Sequence, residues 1–407
     1  VGSTGATGPA GSIGTLTPID AATNNTLSYN TITNTVAYTT GTSISIFPDT
    51  NTRDAAFPDI ITSPPFLGQF CFITDTSRLQ FYNSGWNTYL GPTPTPPLNI
   101  SSEFILDTNY EITYVNSSNH IITTPNLDGF TIYRFYPTTT TSGTYTSPRN
   151  LSITYLVVAG GGGGGMSNTD NNNGLGGGGG AGGLLTGAAS IASGVTYSLS
   201  VGGGGAGQTQ DQDQGGGNGN NSSLDVASVP LTAITAITAI GGGGGGECNN
   251  NGISGGSGGG AGGANLDVAS YNYLGGSGTS GQGTAGQDMN SNQYNTYNYG
   301  GGGGGASQDG TNGGNGFTST ITGISTVYAG GGGGGSDGNN SWSDGGSGGG
   351  GNGGIQSNNN NYISATAGIN GLGGGGGGGG GYVTPSENGA AGGSGVIIIR
   401  IHSYSYS

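Results

Sequence analysis

Runs of six consecutive glycines recur at residues 160–165, 241–246, 300–305 and 330–335, and a run of nine follows at 373–381. Their uniform length argues against a random tether. Glycine has no side chain to bury and loses more backbone freedom on folding than any other residue. Ordering one residue costs roughly 1–2 kcal/mol, so an ordered run needs dense backbone hydrogen bonding in return. An extended helix with three residues per turn leaves its N–H and C=O groups free to point sideways. Only glycine lets several such helices approach closely enough to satisfy one another. The expected fold class is therefore mainly β plus packed polyglycine II helices, a glycine-rich sandwich, with a short collagen-like N-terminal segment.

The composition breaks where the first run begins. Of the 97 glycines in 407 residues, 11 precede residue 160 and 86 follow. Glycine-rich sequence without a triplet period ordinarily signals disorder, but apolar strand-like segments alternate with these runs. Lysine is absent, the arginines are Arg53, Arg78, Arg134, Arg149 and Arg400, and the net charge is −15. That leaves no basic footprint for nucleic acid and no polybasic patch for a membrane surface. Nor is there an apolar stretch of about 18 residues to insert into a bilayer. Cys71 and Cys248 fit neither a disulfide framework nor a zinc site. Val1 opens the chain inside a repeat, which predicts that it belongs to a longer polypeptide.

Five regions follow. Residues 1–16 place glycine at 2, 5, 8, 11 and 14, the strict Gly-X-Y period of a three-chain helix, and read as the end of a collagen-like stem. Residues 17–90 read as a β-rich neck with Asn/Thr turns, including strands at 70–74 and 79–82. Residues 91–99, GPTPTPPLN, form a proline-rich linker. Residues 100–159 carry short strands (EFILDT, YEITYV, HIITTP, FTIYRFYP, LSITYLVVA) suggesting a small antiparallel sandwich or sheet layer. Residues 160–407 form the glycine-rich head, in which apolar strands such as VTYSLSV, LTAITAITAI and TSTITGISTVYA run directly into glycine. SGVIIIRIH closes the head as a strand.

Between glycine runs lie polar tips at 166–174, 208–214, 247–253, 288–299, 336–345 and 355–363, rich in Asn, Ser, Gln and Tyr. That composition resembles binding loops, in which rigid aromatics supply area and small amides supply adaptable hydrogen bonds. The alternative is that Asn and Ser simply make soluble turns. The candidate binding residues are Asn171, Asn172, Asn173, Asn249, Asn250, Tyr294, Tyr297, Tyr299, Asn339, Asn340, Trp342, Asn358 and Tyr362.

Catalytic and metal chemistry find little support. Glycine runs match G-x-G-x-x-G trivially, and a P-loop needs a lysine. His120 and His402 sit among turn and strand residues. Asp211 and Asp213 could join a calcium site, yet the glycine-rich calcium nonapeptide has no clear copy. A depolymerase would need acids such as Asp288, Asp309 and Asp337 to converge. The expectation is no enzyme, no metal and no cofactor.

Three patterns carry a family resemblance. The opening G-x-T-G-x-T-G-P-x-G resembles collagen-like stems of large DNA virus and bacterial surface proteins. GQFCFITDTSRLQFYNSGW, residues 68–86, is similar to a hairpin of phage and viral fibres. YLVVAGGGGGG together with GGSGVIIIRI resembles the glycine-rich domain of phage and giant-virus proteins, in the style of the polyglycine-sandwich adhesins at phage tail-fibre tips. The resemblance implies packed polyglycine helices that present variable loops to a host receptor, without catalytic residues. Those adhesins cap a separate fibre, whereas stem and head share one chain here, so a homotrimer is implied. The expected function is a virion-surface or tail-fibre-like adhesin, extracellular, that binds a host glycan or protein receptor. The second expectation is a purely structural subunit of an extracellular filament or virion coat.

Overall fold

A computed structural model describes residues 25–30, 35–40, 45–47, 70–73, 78–82, 86–88, 104–105, 110–123, 129–136, 142–146, 150–167, 174–209, 215–226, 236–263, 272–290, 299–307, 312–336, 344–357, 361–381 and 387–402. The collagen-like segment and the proline-rich linker lie outside them. The chain divides into two compact units, Val1–Pro96 and Pro97–Ser407.

In the first unit, β1 (Asn25–Asn30) and β2 (Thr35–Thr40) pair antiparallel. A four-stranded sheet contains β3 (Ser45–Phe47), β4 (Phe70–Ile73), β5 (Arg78–Tyr82) and β6 (Trp86–Thr88), in that order. The β4–β5 pairing corresponds closely to the hairpin read from the sequence, and β3 adds a parallel neighbour.

The second unit is built on two antiparallel sheets. Its strands are β7 (Phe104–Ile105), β8 (Tyr110–Val115), β9 (Ile121–Ile122), β10 (Phe130–Phe135), β11 (Ser142–Thr146), β12 (Leu151–Val158), β13 (Leu184–Ile191), β14 (Thr196–Ser200), β15 (Ser222–Val226) and β16 (Ile237–Ala239). Four short strands follow in two hairpin pairs, β17 (Asn272–Tyr273) with β18 (Met289–Asn290) and β19 (Phe317–Ser319) with β20 (Thr326–Tyr328). Then come β21 (Ile355–Ser357), β22 (Asn361–Ile363) and the closing β23 (Val396–His402). One sheet runs β13-β12-β23-β10-β8-β9 and the other β16-β15-β14-β11-β7. The sheet layer is therefore not confined to residues 100–159. Strands from within the glycine-rich half complete both sheets: β12 bonds along one edge to β13 and along the other to β23.

Alternation of side chains along β12 and β23 divides the apolar residues between two cores. Tyr133, Phe135, Ile153, Val157, Ile397, Ile399 and Ile401 pack with Tyr197, Leu199, Leu224 and Ile237 of the other sheet. On the opposite face, Ile132, Leu156, Val158, Val396 and Ile398 meet Ala181, Tyr328 and Ala329, residues that flank glycine segments. Each fully buried aliphatic side chain contributes about 1.5–3 kcal/mol.

The ladder of β12 and β13 continues into the glycine runs and changes period. Beyond the Val158–Leu184 pair, the N–H of Ala159 donates to Gly183, that of Gly162 to Gly180 and that of Gly165 to Gly177, so the bonds recur every third residue. Successive N–H groups of 160–165 point in three directions. Gly160 and Gly163 donate to Asn220 and Gly217, and Gly161 and Gly164 to Gly393 and Ala390. Three further segments donate back, through Gly205 and Gln208, Gly242 and Gly245, and Gly376 and Gly379, all at 2.8–3.0 Å. Segment 160–165 is thus enclosed on every side by other backbone. Segment 176–181 is enclosed in the same way, donating toward 240–246, 301–304 and 373–379 and accepting from 160–165, 257–263 and 332–335.

No glycine of 160–165 has a positive φ, so conformational freedom does not explain its composition. Close approach does. A Cβ on Gly163 would run into the carbonyl of Ala206, and one on Gly243 into the carbonyl of Ile253, backbone atoms held in place by their own bonds. At the rim the demand lapses, since a Cβ on Gly203 would meet only the Asn220 Nδ2 at 3.7 Å. We expect Gly163→Ala to destabilise the second unit by about 3 kcal/mol or more, at the upper end of overpacking costs. Gly203→Ala should be neutral or stabilising by up to about 1 kcal/mol. Equilibrium denaturation of the two variants checks the contrast.

Candidate functional site: the distal end of the glycine array

Glycine segments leave the sandwich in one direction and return in the other, and their described ends far from the sheets lie at a common level. Gly165 bonds Gly177 and Gly379, Gly176 bonds Gly335 and Gly379, Gly300 bonds Gly335, and Gly246 bonds Gly177 and Gly260. Ser336 bonds Gly354, and backbone bridges join Ser336 to both Tyr299 and Ile355. These residues are the described flanks of the tips at 166–174, 247–253, 288–299, 336–345 and 355–363. Gln208 opens the tip at 208–214 on the same level, its N–H on Gly164.

Side chains just beyond the runs tie this end together. Gln208 is wholly buried; its Oε1 accepts from the Met166 N–H at 3.0 Å and its Nε2 donates to Glu247 Oε2 at 3.1 Å. One amide so joins the ends of three segments. Ser167 does the same for two others. Its N–H donates to the Glu387 carbonyl at 2.9 Å, its hydroxyl reaches the carbonyl of Gly380 at 3.2 Å, and its Oγ accepts from the Glu387 N–H at 2.8 Å. A small core of Leu175, Ala261, Met289 and Tyr299 lies at this end.

The electrostatics follow from burial. Desolvation raises the Glu387 carboxyl above its ordinary value, partly offset by the N–H of Gly380, and its Oε2 is buried without a hydrogen-bond partner. Burial, reinforced by the neighbouring Glu247, pushes the Cys248 thiol up to about 11, against the lowering effect of the Gly174 N–H. Such a thiol is a poor nucleophile at neutral pH. Among the described residues no group of three His, Cys, Asp or Glu could hold a metal ion. Asp288 accepts from the Gly275 N–H at 2.8 Å, and His402 stands edge-on to Phe130 with centroids 5.1 Å apart. Asp211, Asp213, Asp309 and Asp337 lie outside the described residues.

The candidate binding residues fare differently from one another. Asn171, Asn172, Asn173, Tyr294, Tyr297, Asn339, Asn340, Trp342 and Asn358 lie outside the described residues. Tyr362 belongs to β22, where its backbone pairs with Gln356. Asn250 is exposed, and its neighbour Asn249 takes a left-handed φ of 62° in the turn after the run. Asn tolerates that conformation better than most residues. Tyr299 is a correction: expected as an exposed anchor, it is 4% exposed, because its backbone is bridged to Ser336 and its side chain packs with Leu175, Ala261 and Met289. Gln208, Glu247, Ser167 and Glu387 were not singled out by sequence reasoning. Their position directly after or before a glycine-rich segment was the available signal.

A family described as a glycine-rich domain matches residues 138–402, well over half of the chain. The chain belongs to that glycine-rich domain family. No curated protein matches it. The matched region takes in β12 to β23 and every glycine segment, so the family and the array coincide.

A pH prediction follows from Glu387. With its folded pKa raised, the folded state holds the proton more tightly than the unfolded chain. That contribution is fully present below the ordinary carboxylate value and is lost as pH rises through the raised one. Glu387→Gln should therefore melt higher than the unaltered chain at pH 7, with the difference vanishing near pH 4, as read from melting curves across that range.

Proposed function

We propose that this member of the glycine-rich domain family is an extracellular adhesin whose distal end binds a host-surface glycan or protein. The single observation that carries the reading is the common level of the tip flanks: the segments that border sequence rich in Asn, Ser and Tyr end together at one end of the array. In this reading the glycine segments are polyglycine II helices. Their support is the every-third-residue bonding and the enclosure of 160–165 by three segments that it donates to and three that it accepts from. A rod bundle of that kind spends its side chains only at its ends and rim, so the tips are free to vary without disturbing the packing. The Gly-X-Y segment at residues 2–14 would form the end of a trimeric stem, and three heads on one stem would raise avidity without new contacts. A virion or fibre surface is the setting that suits such a stem.

Binding would be passive. Exposed aromatics and amides supply adaptable contact area, and the design needs no cofactor, metal or nucleic acid. The test is to replace residues 168–173, and separately 337–343, by short Gly-Ser linkers and to measure binding to a printed glycan array and a panel of intact cells. Loss of a specific signal from at least one variant, with the melting midpoint unchanged within about 3 °C, is the expected result. Binding unaltered in both, or no binding by the unaltered chain to any surface, would favour a purely structural subunit of a filament or coat.

A further inference from the structure

The interior of the array needs no side chains, yet its rim is studded with carboxamides whose oxygens point inward. Segment 241–246 shows why. Gly242 and Gly245 donate to Gly160 and Gly163, and Gly243 and Gly246 donate to Ser257 and Gly260. The third row, Gly241 and Gly244, has no backbone acceptor among the described residues. Its acceptors are the Oδ1 atoms of Asn221 at 2.8 Å and Asn218 at 2.9 Å. Both glycines are buried and both asparagines are exposed. The two caps are three residues apart, as are the two amides that they serve. Asn220, between them, takes part through its backbone, its N–H donating to Gly203 and its carbonyl accepting from Gly160.

The pattern recurs around the array. Gln287 Oε1 accepts from Gly302, Asn352 Oδ1 from Gly345, Asn315 Oδ1 from Ser347, Asn251 Oδ1 from Leu274 and Asn370 Oδ1 from Ser394, at 2.8–3.3 Å. A carboxamide oxygen has the acceptor chemistry of a peptide carbonyl, so each takes the role that a backbone acceptor plays inside the array. Local turn formation does not account for them. The separations in sequence are 15, 20, 23, 24, 26 and 32 residues for all but the Gly345–Asn352 pair.

We propose that these amides terminate the array: they satisfy rim N–H groups that would otherwise recruit another backbone, and so keep the head from pairing edge to edge with a second copy. An unpaired row of N–H groups is a template for association in a sheet, and the same holds for a glycine array. Part of the Asn content of the chain is thereby assigned to the rim rather than to recognition, independently of the adhesin reading.

The test uses Asn218→Ala with Asn221→Ala, set against Asn218→Asp with Asn221→Asp, which keeps the acceptors, and against Asn220→Ala as a control. The alanine pair should lower the melting midpoint by about 4 °C or more and raise the mass measured by light scattering above that of the unaltered chain. The aspartate pair and the control should do neither. An alanine pair that matches the control in midpoint, or one of unchanged mass, overturns the proposal. Should the alanine pair fail to fold, amide exchange in the unaltered chain decides. The amides of Gly241 and Gly244 should exchange at least tenfold more slowly than those of Gly204 and Gly207, which make no bond among the described residues; equal rates overturn it.

Discussion

Backbone hydrogen bonding between neighbouring glycine segments does for the head what side-chain packing does for most domains. A glycine offers one N–H and one C=O and nothing else, and a buried N–H left without an acceptor costs about 1–3 kcal/mol. A bundle of such segments is stable only when each is surrounded closely enough for every group to find a partner. Segment 160–165 meets that demand with carbonyls of 177–180, 217–220 and 390–393. The same closeness excludes a Cβ at Gly163 or Gly243. Composition, spacing and stability are thus one constraint.

The two-sheet sandwich gives this array its starting register. β12, β13, β14, β15, β16 and β23 either feed into glycine segments or receive them, so strands already aligned by Leu156, Val157, Ile397 and their partners deliver the glycines side by side. The apolar cores offset the entropy of ordering the first residues of each run, and the period-three bonding then extends outward. Where the array stops, polar side chains take over. Gln208 and Ser167 bind the far end, and Asn218 and Asn221 close one flank.

Much of this was legible in the sequence. The uniform glycine runs, the apolar strands leading into them and the closing VIIIRIH all pointed to a glycine-rich β fold, and the strand positions of β8, β10, β12, β14 and β23 follow the apolar patterning. What the pattern could not convey was partnership across long separations. The pairing of β12 with β23, more than 230 residues away, depends on the closure of the whole array. TSTITGISTVYA reads as one strand-like stretch but folds as the hairpin β19–β20, turning at Gly323 with a φ of 83°. Tyr299 looks like its neighbours in an Asn/Tyr tip, and only its long-range contacts, the bridge to Ser336 and the packing on Leu175 and Ala261, make it interior. Asn218 and Asn221 likewise carry no local signature that separates a rim cap from a display residue.

The measurement that bears most directly on the array is amide hydrogen exchange of the intact chain, resolved to peptides covering 160–165, 176–181 and 373–381. If these glycines are held by the bonds described, their amides exchange only through cooperative opening and match the protection of β12 and β23. Exchange of these runs at the rate of an unstructured glycine peptide, while β12 and β23 stay protected, would contradict the account.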